Sequence, residues 1–178
     1  MRQKKTTILK RWFNTILETY PPDTSRFLKH EKNQFANPVG NTMKSEIENV
    51  YEELLCWRDS EKLSDFLNRI IKIRAIQDFS PAQAVEFIFH LKSVIRDELE
   101  GEIRKDHLFE ELLKFEGRID KLALLAFNSY MKNREKIYEI RVNEVRNRVF
   151  SLLKRADLID EISEQELDIR EGNINSVI

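Results

Sequence analysis

The chain has 178 residues, enough for one domain with a sizeable core. Its 30 basic and 31 acidic side chains leave a formal charge of -1, which gives no global field for nucleic acid, whose binders concentrate positive charge. With four Gly, four Pro and one Cys, it reads as all-α and excludes an internal disulfide.

No run approaches the length of a membrane span, and mean hydropathy is -0.52. The start, MRQKKTTILKRW, has the positive charge of a signal sequence, but Lys10 and Arg11 interrupt the apolar stretch one would need. The expectation is a cytoplasmic protein.

Residues 4–20 are expected to form the first helix, with Ile8, Trp12, Ile16 and Tyr20 in one row and Leu9, Phe13 and Leu17 beside it. Tyr20-Pro21-Pro22-Asp23 stops it, because residues before proline are pushed out of the α region. A helical turn around 25–32 brings Phe27 and Leu28 toward the core. Residues 33–41, with Asn37-Pro38 and Gly40-Asn41, read as loop.

From about Thr42 to Trp57 the pattern places Met43, Ile47, Val50, Tyr51, Leu54 and Leu55 on one side, with Cys56 as a small packed hydrophobe. Asp59 or Ser60 caps the next helix, which shows Leu63, Phe66, Leu67, Ile70, Ile73 and Gln77 in register. Ser80, Pro81 and Gln83 make a capping box with proline at the first helical position. The helix it opens runs to about Glu102 and carries Ala84, Val85, Ile88, Leu91, Val94 and Ile95, with Phe87 and Phe89 widening the apolar surface.

Asp106 is expected to cap a short helix bearing Leu108, Leu112 and Leu113, with Gly117 before a long segment. That segment, 119–156, has no Gly or Pro and reaches roughly 55 Å at ~1.5 Å per residue. It carries two seams spaced alternately by four and three. The first is Ile119, Ala123, Ala126, Tyr130, Asn133, Ile137 and Ile140; the second is Met131, Glu135, Tyr138, Val142, Val145, Val149 and Leu152. That alternation suits a left-handed helix pairing, so the first seam is assigned to the chain's own domain and the second to another helix; the alternative buries both seams in one intramolecular core. Residues 157–178 form an acidic tail expected to be loosely ordered. The organisation is therefore a helical domain over 1–156 and a tail over 157–178.

Little in the chain points to catalysis. His30, His90 and His107 are far apart and lack a metal-ligand spacing with Cys56. His90 follows Glu86 by four and shares a face with Gln83, Ser93 and Asp97, a solvated pattern; a haem-ligand role would need an apolar pocket around it. No phosphate-binding glycine loop, nucleophile elbow or Glu-x-x-His pair occurs. The basic residues of 132–148 interleave with Glu135, Glu139 and Glu144 and read as salt-bridged surface. Two polar groups stand out as a possible ligand or switch site. Arg74, Gln77 and Asp78 end one helix at the corner before Ser80, and Tyr130, Arg134 and Tyr138 line one side of the long helix. Both read first as structural, a cornerstone that fixes an interhelical angle and a packed ion pair. No metal, catalytic residue or cofactor is assigned.

The segments YPPDTSRFLKHEKNQFANPVG, IRAIQDFSPAQAVEFIFHLKSVIRDEL and GRIDKLALLAFNSYMKNREKIYEIRVNEVRNRVF resemble the N-terminal domain family of RsbRD-type RsbT co-antagonists, over about residues 5–155. The resemblance implies an all-α, globin-like, haem-free sensory module that is dimeric and whose long C-terminal helix leads into a STAS domain. Here 22 residues follow the long segment, so the expectation is a stand-alone input domain that signals through a separate partner protein. The leading reading is a non-enzymatic sensory domain, homodimeric through Tyr138, Val142, Val145, Val149 and Leu152, with no nucleic-acid partner and no membrane span. The alternative is a globin-like sensor that binds haem or another small ligand through His90 or His107.

Overall fold

A computed structural model describes residues 1–156 except Lys32, Arg58, Asp59 and Asp78. The described residues hold six α-helices and no strand, so the fold is all-α with a long C-terminal helix. By contact the chain divides into two units, Met1–Glu135 and Lys136–Ile178.

In the first unit a 3-10 turn, Arg2–Lys4, leads into α1, Lys5–Glu18. Ile8, Trp12, Ile16 and Leu17 of α1 are buried, the row that helical periodicity requires. Helix α2, Pro22–His30, buries Leu28 but leaves Phe27 48% exposed, so only one of the two expected core residues reaches the core.

Helix α3, Pro38–Cys56, begins four residues earlier than the loop signals suggest. Asn37 is its N-cap: the side-chain oxygen accepts from the Gly40 amide at 2.8 Å, while the amide nitrogen donates to the Leu28 and Glu31 carbonyls, both at 3.0 Å. Pro38 takes the first helical position, where no N–H is needed. Gly40 therefore lies inside the helix. A Cβ there would come within 2.5 Å of the Asn37 side chain, which is why this position takes glycine.

Helix α4, Ser60–Ile76, buries Leu63, Leu67, Ile70, Ile71, Arg74 and Ala75. The face is turned one position from the expected one: Phe66 and Ile73 are half-buried and Gln77 is exposed. The cap assigned to Asp59 or Ser60 rests on Asp59 and the Ser60 side chain, which lie outside the described residues.

Helix α5, Pro81–Lys105, opens on the capping box the sequence specifies, with Gln83 N donating to Ser80 Oγ and Ser80 N donating to Gln83 Oε1. Its buried face includes every apolar residue expected there except Phe89, which is 44% exposed. Asp106 closes this helix instead of opening another. His107 turns left-handed at φ 55°, and the Leu108 amide returns to the Ile103 carbonyl at 3.1 Å, a Schellman-type end.

Helix α6 then runs as one piece of 47 residues, Phe109–Arg155. The expected short helix and long segment are thus continuous through Gly117. A glycine inside a helix costs only about 1 kcal/mol, and nothing lies within 4 Å of where its Cβ would be. Within the first unit α6 buries Phe115 and Leu122 and, of the first seam, Ile119, Ala123, Ala126 and Tyr130, whereas Ile140 of that seam is 52% exposed and does not join a core.

The second unit, described as far as Ala156, consists of α6 residues from Lys136 onward. The tail at 157–178 lies outside the described residues.

Candidate functional site

The corner between α4 and α5 is built around a buried cation. Arg74 is 0% exposed, against the strong tendency of arginine to stay wet. Its guanidinium carbon lies 4.2 Å from the Phe79 ring centroid, 5.3 Å from Phe87 and 5.6 Å from Tyr20, within cation–π range of all three. Nη2 donates to Thr19 Oγ1 at 3.0 Å and to the Gln83 carbonyl at 2.8 Å, whereas Nε and Nη1 have no partner among the described residues. Burial pushes its pKa down, and the Tyr20 phenol and Glu86 push it back up; an arginine so placed stays charged.

The cage around it draws on three separate stretches of chain. Tyr20 closes the end of α1, meets Phe79 edge-on at 5.1 Å and donates its hydroxyl to Gln77 Oε1 at 2.9 Å. Phe87 is fixed by Trp12, which stacks at 6.2 Å and whose Nε1 donates to the Phe87 carbonyl at 2.7 Å. Burial raises the Tyr20 pKa, opposed by the nearby Arg74 charge, so the hydroxyl remains a donor.

Helix α6 is tied to the same corner through backbone carbonyls. The Tyr130 hydroxyl donates to the carbonyl of Phe79, and Arg134 Nη1 donates to that of Ala75 at 3.0 Å. One turn away, Ser129 Oγ and Asn133 Nδ2 both donate to Asn68 Oδ1, at 2.7 and 2.9 Å. Of the residues singled out from sequence as a possible ligand or switch group, Arg74, Gln77, Tyr130 and Arg134 converge here. Asp78 lies outside the described residues. The aromatic wall of Tyr20, Phe79 and Phe87 and the hydroxyl of Thr19 had no signal of their own, since none stands in a polar pattern with Arg74.

A single hydrogen-bonded cation holds three segments, and α6 reads the position of two corner carbonyls. Glu46 is met by Arg69 at 2.8 Å and Glu116 by Arg96 at 2.6 Å, while the half-buried Glu53 has one buried oxygen, Oε2, with no hydrogen-bond partner among the described residues. Neither of the two paired carboxylates has the isolated setting that a retained general acid needs.

His90 lines a cleft of about 380 Å³ with Arg11, Asn14, Glu18, Ser93 and Asp97. Thr15 and Val94 complete the lining, and one valine does not make the apolar face that a haem ring requires. His107 is exposed at the end of α5. Among the described residues no group of three or more His, Cys, Asp and Glu is placed to hold a metal ion. Nor is any helix among them long and apolar enough to cross a membrane.

The second unit presents its own row of side chains. Tyr138, Val142, Val145, Val149 and Leu152 are 51, 57, 59, 48 and 58% exposed, at steps of four, three, four and three.

A family model described as the RsbT co-antagonist protein rsbRD N-terminal domain matches residues 6–145. An uncharacterized protein of Archaeoglobus fulgidus is 31% identical over 86 residues, 48% of this chain and 53% of that protein, so the chain spans about half the length of this relative. No solved structure matches.

Proposed function

Because the chain belongs to the RsbT co-antagonist protein rsbRD N-terminal domain family, we propose that it is a non-enzymatic sensory and regulatory domain that pairs with a second copy through α6 and signals to a partner protein. The observation that carries this reading is the valine-rich row at Tyr138, Val142, Val145, Val149 and Leu152. Five apolar side chains about half exposed on one helical stripe are costly in water, and their spacing is the one that a left-handed pair of helices buries. The corner supports the other half of the proposal. A stimulus that loosens Arg74 from its cage changes the carbonyls that Tyr130 and Arg134 hold, and so the setting of α6. The partner reads the resulting change at the seam.

Light scattering on the full chain and on Val145→Asp/Val149→Asp tests the pairing. A dimeric parent and a folded, monomeric variant support it. A variant that stays dimeric removes the seam from the proposal.

A further inference from the structure

A cleft of about 820 Å³ opens between α1, α2 and α3 and shares no lining residue with the corner. Its size is in the range of pockets that enclose small organic ligands. Leu9, Phe13, Leu28 and Ile47 supply an apolar floor, and four lysines stand around it.

The charge around this floor is positive on balance, with four lysines against Glu31, Glu48 and, next to Lys5, Glu52. Lys5 is neutralised by Glu48 and Glu52, at 2.8 and 2.7 Å. The other carboxylate at the rim, Glu31, accepts from the Asn33 amide at 2.7 Å. Lys10, Lys29 and Lys44 come from three different helices, are exposed, and have no ion-pair partner among the described residues. Three ammonium groups outside any ion pair among the described residues therefore share the rim of one apolar concavity, with the Glu31 carboxylate beside them. Their methylene stems extend its walls while the charged ends stay in water.

The cleft is also held open in advance. Asn37 bonds the Leu28 and Glu31 carbonyls and the Gly40 amide, locking the α2–α3 connection that forms one wall. A preorganised wall lowers the ordering cost of binding.

We infer that this cleft binds a single-chain anionic amphiphile, with a long-chain carboxylate as the simplest form. The acyl chain lies on Leu9, Phe13, Leu28 and Ile47, and the anionic head meets Lys10, Lys29 and Lys44. A neutral apolar ligand would leave the three cations unused, and a compact anion would leave the floor exposed. The assignment does not depend on pairing through α6, because binding is read per chain.

The test is calorimetric titration of delipidated full chain with palmitate, repeated with hexadecyltrimethylammonium and with Lys10→Glu/Lys29→Glu/Lys44→Glu. These are exposed positions, and circular dichroism checks that the variant keeps its helices. The expected result is one palmitate per chain, with affinity reduced roughly tenfold or more in the variant and for the cationic amphiphile. Failure to bind palmitate overturns the inference. So does equal binding by the triple variant, which would put the ligand elsewhere. Displacement of palmitate by a peptide of residues 157–178 at lower concentration than palmitate itself would overturn it in favour of an acidic segment.

Discussion

The guanidinium of Arg74 sits 4.2 Å above the ring of Phe79, whose carbonyl in turn accepts the hydroxyl of Tyr130. One residue of the corner thus touches both the buried cation and the long helix. Arg74 fills the space between three rings, so its packing outweighs its charge in holding the corner. Arg74→Ala is expected to destabilise the chain by about 3 kcal/mol or more, through the cavity left among the three rings and the lost hydrogen bonds to Thr19 and Gln83. Arg74→Met, which keeps the stem and removes the buried charge, is expected to stay within about 1.5 kcal/mol of the parent. Urea unfolding of the two variants decides it. Equal losses would mean that the charge, not the packing, holds the corner.

At the start of α3, Gly40 and Asn37 form a second interdependent pair. Gly40→Ala places a methyl 2.5 Å from Asn37 Nδ2 and is expected to cost about 1–2 kcal/mol. Asn37→Ala loses three hydrogen bonds and is expected to cost about 2 kcal/mol. Because the second change removes the clash that makes the first harmful, the double variant should lose less than the sum. Strict additivity in thermal or urea unfolding would contradict the cap geometry.

These two sites also mark where sequence reasoning succeeds and where it stops. The Ser80–Gln83 capping box, the α1 row and the α5 face from Ala84 to Ile95, apart from the exposed Phe89, depend on neighbours within one turn and are legible in the sequence. The start of α3 was equally local: Asn37 followed by Pro38 is a cap followed by a first-turn proline, but Gly40-Asn41 drew the reading toward a loop. The sequence offers Asp106 as an opening cap, because its role as a closing one depends on His107 adopting a left-handed conformation, which glycine usually takes. Arg74 is a different case. Its burial requires Tyr20, Phe79 and Phe87 to meet around it from separate stretches, and no periodicity within α4 encodes that meeting.

Tyr51 gives a pH-dependent prediction. It is fully buried, its hydroxyl has no hydrogen-bond partner among the described residues, and burial raises its pKa from 10.0 to about 12. Between these values the unfolded chain has released the phenolic proton and the folded chain still holds it. Stability therefore falls as pH rises through this window, by up to ~2 kcal/mol from this group. Tyr51→Phe should be neutral or slightly stabilising near pH 7, since no bond is lost, and should flatten the alkaline decline. Unfolding midpoints measured against pH check both; an unchanged alkaline slope in the variant would contradict the assignment.

The central claim is that the α6 residues beyond Glu135 carry the pairing surface, while the first unit folds around the corner without it. Light scattering on the full chain and on a chain stopped after Glu135, with circular dichroism to confirm that the shorter form is helical, tests this most directly. The account predicts twice the chain mass of 21.3 kDa for the full protein and a folded monomer for the shorter one. A monomeric full chain, or a shorter chain that remains dimeric, would contradict it.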